Sequence, residues 1–115
     1  MRIKITIGLF LILSIGGCEK LNLKEDVPEC IEDKIREFKK SAFSCDSGAK
    51  VIRYNFQGIN VYVFSPGNCG ADMPAPVYDD QCNTICTLGG FDGNVICNGE
   101  RFDEKATDAT LIWEN

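Results

Sequence analysis

The side chains best able to do chemistry in this sequence are seven cysteines and a surplus of carboxylates, 17 Asp and Glu against 12 Lys and Arg. Histidine is absent. That removes Ser-His-Asp and Cys-His nucleophilic catalysis, and with them every imidazole metal site. A zinc site built from thiolates needs paired Cys units two to four residues apart. Only Cys82 and Cys86 are so spaced, and no second pair accompanies them. A Cys-x-x-Cys redox motif is missing as well. Cys30, Cys45, Cys69, Cys82, Cys86 and Cys97 therefore read as a structural framework of three disulfides, whose pairing the sequence leaves open.

The carboxylates yield little chemistry of their own. Asp79 and Asp80 are adjacent, and Asp92-Gly93-Asn94 is an acidic turn. Calcium takes six to eight oxygens, and no Asp-x-Asp-x-Asp-Gly run with a later Glu is present. Asp, Asn and Gly in these places are explained by the backbone preferences of turns. A carboxylate pair for glycoside hydrolysis needs a cleft, and a small stapled domain has little room for one. No catalytic residue, metal ligand or cofactor site is expected. The formal charge of −5 argues against nucleic acid as a partner, because binding to it rests on neutralising phosphates with Lys and Arg.

The odd cysteine has its own reading. Arg2 and Lys4 precede an apolar run, Ile5 to Ile15, which Gly16-Gly17-Cys18 closes. A membrane-spanning helix needs about 20 apolar residues, so this run is too short to span. It has the size and flanks of the apolar region of a signal peptide. Leu13-Ser14-Ile15-Gly16-Gly17-Cys18 resembles the lipobox of bacterial lipoproteins, with Ile15 where Leu is usual. The resemblance implies cleavage after residue 17 and diacylglycerylation of Cys18, with acyl chains of the palmitate kind. Two or three chains hold a protein at a bilayer essentially for good, where one does not.

The elements that must position these groups follow from periodicity. Residues 19–27 are polar and without period, and with Cys18 they are expected to form a lipidated tether at 18–27. Pro28 suits the start of a helix, with Asp26 or Val27 near its cap. Ile31, Ile35, Phe38 and Ala42 form one apolar stripe, while Glu29, Glu32 and Asp33 crowd the start and Lys39 and Lys40 the end. A helix is predicted at 29–42. Residues 51–56 and 59–64 alternate apolar and polar around Gln57-Gly58 and predict a β-hairpin. Its apolar face is expected to pack on the helix, since a lone hairpin is marginal in water. Three prolines and two glycines in 65–80 argue against long regular structure. Residues 81–103 read as irregular loop, and Ala109–Trp113 as a short strand that could join the hairpin, with Trp113 sealing the core.

Three features together are familiar: Tyr54-x3-Gly58-x3-Tyr62; Val77-Tyr78-Asp79 leading to Ile85-Cys86 and Gly89-Gly90; and a terminal Leu111-Ile112-Trp113. They resemble a domain-of-unknown-function family of short lipoproteins common in Bacteroidota, over about residues 28–113. In that family two adjacent cysteines often follow the hairpin. Here Gly70 follows Cys69, and Cys45 and Cys82 are additional, so the bridges can differ. The resemblance implies no activity.

The expected fold is α+β: an N-terminal helix packed on a small antiparallel sheet, stapled by disulfides, with a long irregular C-terminal half. The expected organisation is a signal peptide at 1–17, a tether at 18–27 and one domain at 28–115. The expected role is that of a cell-envelope lipoprotein, held by its N-terminal lipid on a membrane in the periplasm or at the surface. It would act there by binding or structural contact with an envelope protein or other extracellular ligand. One alternative is a protease-inhibitor-like domain, since Val77 to Cys86 resembles the Tyr-Asx-x-Cys stretch of Kazal-type inhibitors, though their upstream cysteine spacing is missing. Calcium binding is the other.

Overall fold

The computed structural model describes residues 21–41 and 43–115. The export segment 1–17, Cys18 and the helix-end residue Ala42 lie outside the described residues. Helix α1 spans Glu29–Lys40 and is followed by strands β1 (Lys50–Phe56), β2 (Ile59–Ser65), β3 (Pro74–Asp79) and β4 (Thr84–Gly89). Short strands β5 (Ile96–Cys97) and β6 (Glu100–Arg101), a one-turn helix α2 (Phe102–Lys105) and strand β7 (Thr107–Glu114) complete the chain.

Local chemistry explains the first elements. The Pro28 carbonyl accepts the N–H groups of Ile31 and Glu32 at 3.0 and 3.1 Å. Acidic residues stand in the first turn of α1 and Lys39 and Lys40 in the last, as its dipole favours. The helix stops at Ser41, whose hydroxyl donates to the Phe38 carbonyl at 2.9 Å. Gln57 and Gly58 both have positive φ, 54° and 81°, the backbone that a two-residue hairpin turn requires. The hairpin register runs from Lys50 opposite Ser65 to Phe56 opposite Ile59. As expected, the terminal strand adds to the hairpin, pairing antiparallel with β1.

The long irregular C-terminal half is corrected. β3 and β4 extend the hairpin into a five-stranded antiparallel sheet of order β4-β3-β2-β1-β7. The prolines that argued against a strand are accommodated by position. Pro74 and Pro76, which have no N–H, lie in the part of β3 that pairs only with β4; β2 pairs with residues 77–79 alone.

A second correction concerns the hairpin's apolar face. The sheet has two covered faces. On one, Ile31 and Ile35 of α1 meet Ala49, Val51, Tyr62, Phe64, Ile112 and Trp113, all buried. On the other, the alternating set Phe56, Val61 and Val63 packs with Val77, Cys97 and Phe102. The regular apolar face of the hairpin is thus covered by the C-terminal excursion and not by the helix. Phe102 stands against Tyr54 and Phe56 at 5.1 and 4.9 Å between ring centroids. A register shift lets β7 bury two successive residues: Val51 faces Trp113 and Ile52 faces Leu111, so Ile112 lies between and also enters the helix-side core.

Three disulfides tie these layers together. Cys30–Cys82 joins α1 to the β3–β4 turn, Cys45–Cys69 joins the loops flanking the hairpin, and Cys86–Cys97 joins β4 to β5. Both sheet edges are partly occupied, which blunts pairing with another chain. On β4, Gly89 and Asn94 exchange two backbone hydrogen bonds, and the Asn94 side-chain amide donates to the carbonyls of Thr87 and Ile96. On β7, the Ile112 carbonyl accepts the Lys24 N–H at 2.9 Å. Residues 21–27, expected as tether, lie on the domain, with Leu21, Leu23 and Val27 packed against the helix-side core.

Candidate functional site

A cleft of about 360 Å³ opens between the C-terminal half of α1 and the β3–β4 part of the sheet. Its walls are Phe38, Phe43, Phe64, Pro74, Pro76 and Tyr78, with Lys34, Glu37, Ser41 and Thr87 around them. The prolines account for the gap. Because they cannot donate to β2, β3 parts from β2 beyond Val77, and the ring of Phe64 is left at the bottom of the opening.

The aromatic walls form a chain of edge-to-face contacts. Phe38 meets Trp113 at 6.1 Å and Phe64 at 5.4 Å, and Phe64 meets Tyr78 at 5.1 Å. Such contacts hold each ring in place beyond what area alone gives. Lys34 Nζ sits 4.5 Å from the centre of the Tyr78 ring, a cation–π contact. Burial, and then the Glu37 carboxylate, raise the pKa of the Tyr78 hydroxyl. The cleft therefore offers rigid apolar faces with one cation and one anion nearby. Phe43, 61 % exposed, stands at its mouth.

A polar string runs over the same face of the sheet. The Tyr62 hydroxyl donates to Asp80 Oδ1 at 3.2 Å, and Arg53 pairs with Glu25 of the docked N-terminal segment at 3.1 Å. Tyr62 lies opposite Arg53 in the hairpin. Burial first, and then the Asp80 carboxylate, push its hydroxyl up to about 12. A phenol held protonated that firmly is a structural donor and a poor general base.

Asp79 is fully used by its turn. Its Oδ1 accepts the N–H groups of Gln81 and Asn83, both at 2.9 Å. Hydrogen bonding from the Asn83 backbone foremost, with that from Gln81, holds its carboxyl below the ordinary range. The turn's backbone passes through positive φ at Cys82, 65°, which the bridge to Cys30 secures. The stretch that resembles an inhibitor loop, Val77 to Cys86, is thus largely this β-hairpin, with its tip tied to α1. Asp92-Gly93-Asn94 is an exposed turn, beside a Phe91 that is 91 % exposed. Among the described residues, no group of three or more Asp, Glu or Cys converges as metal ligands would.

All six framework cysteines find partners within the chain, in the order first to fourth, second to third and fifth to sixth. The cleft residues were missed at the level of sequence. Sequence periodicity places Phe38 in the core stripe and reads 65–80 as irregular, and only the packing of α1 against β3 brings the two together. The run Pro74-Ala75-Pro76-Val77-Tyr78, prolines alternating toward an aromatic, was the one available signal.

A family model for a domain of unknown function, DUF6970, matches residues 37–115. The chain belongs to this family. The match begins inside α1 and takes in the whole sheet, both bridges Cys45–Cys69 and Cys86–Cys97, and every cleft wall except Lys34. The docked segment 21–27 and Cys30 precede it. No curated protein and no solved structure matches the chain. Among the described residues no helix is long and apolar enough to cross a membrane.

Proposed function

We propose that this DUF6970 protein is a lipid-anchored, non-catalytic binding module of the bacterial cell envelope, which takes an apolar or aromatic group into the cleft between α1 and β3–β4. The chain's resemblance to a family of short Bacteroidota lipoproteins and the lipobox-like residues before Cys18 support the anchor. The reading rests above all on the cleft, where Phe38, Phe64 and Tyr78, held by edge contacts, converge with Pro74, Pro76 and the exposed Phe43 on one opening, and the Cys30–Cys82 bridge ties α1 to the β3–β4 turn. Apolar clefts with a few polar groups at the edge are the usual form of ligand sites. Rigid walls lower the ordering cost of binding. Lys34 and Glu37 suit the termini or flanking charges of a short extended peptide carrying an aromatic or proline residue.

The test is a titration of the isotope-labelled chain, Cys18 replaced by Ser, with short synthetic peptides containing Pro, Phe or Tyr, followed by amide chemical shifts. Shifts confined to residues near Lys34, Phe64, Tyr78 and Thr87, weakened tenfold or more in Tyr78→Ala, are the expected outcome. Shifts elsewhere, or none at millimolar peptide, would remove the cleft from the account.

A further inference from the structure

We infer that the β7 side of the domain is seated directly against the bilayer surface, without an intervening free tether, so that the β3–β4 wall of the cleft is the part turned away from the membrane. This rests on the lipid-anchor reading of Cys18 given above. The segment that should have been slack is docked. Leu21, Leu23 and Val27 pack against the helix-side core, the Lys24 N–H donates to Ile112 in β7, and Glu25 pairs with Arg53. Only two residues separate Cys18 from Leu21. Whatever their conformation, three Cα–Cα steps reach about 11 Å at most. An acyl-cysteine at the headgroups therefore holds Leu21 within about 11 Å of them.

The sheet then sets what lies near and far. The docked segment adjoins β7, at one edge of the order β4-β3-β2-β1-β7. Strands are about 4.8 Å apart, so β4, at the other edge, lies about 19 Å farther across. The β3 and β4 wall of the cleft lies on the side remote from the anchor, while its inner wall, Phe38, reaches back to Trp113 of β7. Attraction to anionic lipid does not hold the domain in this position, because the net charge is negative. The short leash does, so the seating is insensitive to salt. A ligand must then come to the membrane surface, since the module cannot reach out for it.

Trp113, the sole tryptophan, lies in β7 and serves as the donor for the measurement. The full lipidated chain is reconstituted in phosphatidylcholine vesicles containing a dansyl-headgroup lipid, and energy transfer from Trp113 is read. A second chain carries a 20-residue Gly-Ser insert after Lys20, which adds about 25 Å of mean reach. We expect transfer in the native chain to exceed that of the spacer chain about two- to threefold and to persist in 0.5 M salt, with both chains floating with the vesicles. Equal transfer in two floating chains overturns the seating and leaves the anchor intact. A native chain that does not float overturns the anchor and the seating together.

Discussion

Tyr62 sits where burial and the Asp80 carboxylate together outweigh the opposing pull of Arg53. Its hydroxyl, buried and donating to Asp80, ionises at about 12 where an ordinary tyrosine does so at 10.0. The folded state thus keeps this proton longer than the unfolded chain does. The stabilisation is complete below pH 10 and is lost as pH climbs through 12. Tyr62→Phe is expected to cost about 1 kcal/mol at neutral pH, for the lost hydrogen bond. It should also remove this alkaline fall, so that the two stability curves converge above pH 10. Denaturant unfolding of both chains from pH 7 to 12 measures it, and parallel curves would show that Tyr62 is not the group titrating. Asp79 has the opposite sign. Its lowered pKa contributes stability at neutral pH that is lost as pH falls through the acid range.

Elements differ in how far their bridges span the chain. Cys30–Cys82 closes a separation of 52 residues and Cys86–Cys97 one of 11. In the chain-entropy account the longer loop is worth about 4 kcal/mol and the shorter about 3. Replacing Cys30 and Cys82 together by Ala should therefore lower stability more than replacing Cys86 and Cys97, and should also widen the cleft, because α1 loses its tie to the β3–β4 turn. Thermal unfolding gives the first effect and peptide affinity the second. A reversed order would mean that the buried Cys97, in the core beneath Phe102, matters through packing rather than through loop closure. α1, β1, β2 and β7 were legible because each carries its own period and caps. β3 and β4 were not, since Pro74 and Pro76 read as breakers until it is clear which side of the strand is unpaired.

At the scale of the whole molecule, a thin core is divided between two faces of one sheet, and each face is closed by a different segment. Domains of this size bury a modest share of their surface, and three cross-links supplement the packing. Mass spectrometry of the unreduced mature chain is expected to show six fewer hydrogens than after reduction; any shortfall marks a free thiol. Cys18→Ala should move the protein from the membrane fraction to the soluble one. Retention in the membrane would refute the lipid anchor.

Composition and spacing alone determined that six cysteines would act structurally, that histidine chemistry is absent, and that a helix precedes a tight hairpin. These are local or compositional properties, fixed by which groups are present and by periods a few residues long. The pairing of the cysteines, the covering of the hairpin's regular apolar face by Phe102 instead of α1, the docking of 21–27 on the domain beside β7 and the cleft at Phe64 were decided only in three dimensions. Each depends on contacts between segments tens of residues apart. A sheet with apolar groups on both faces leaves open which segment covers which side until packing selects one arrangement.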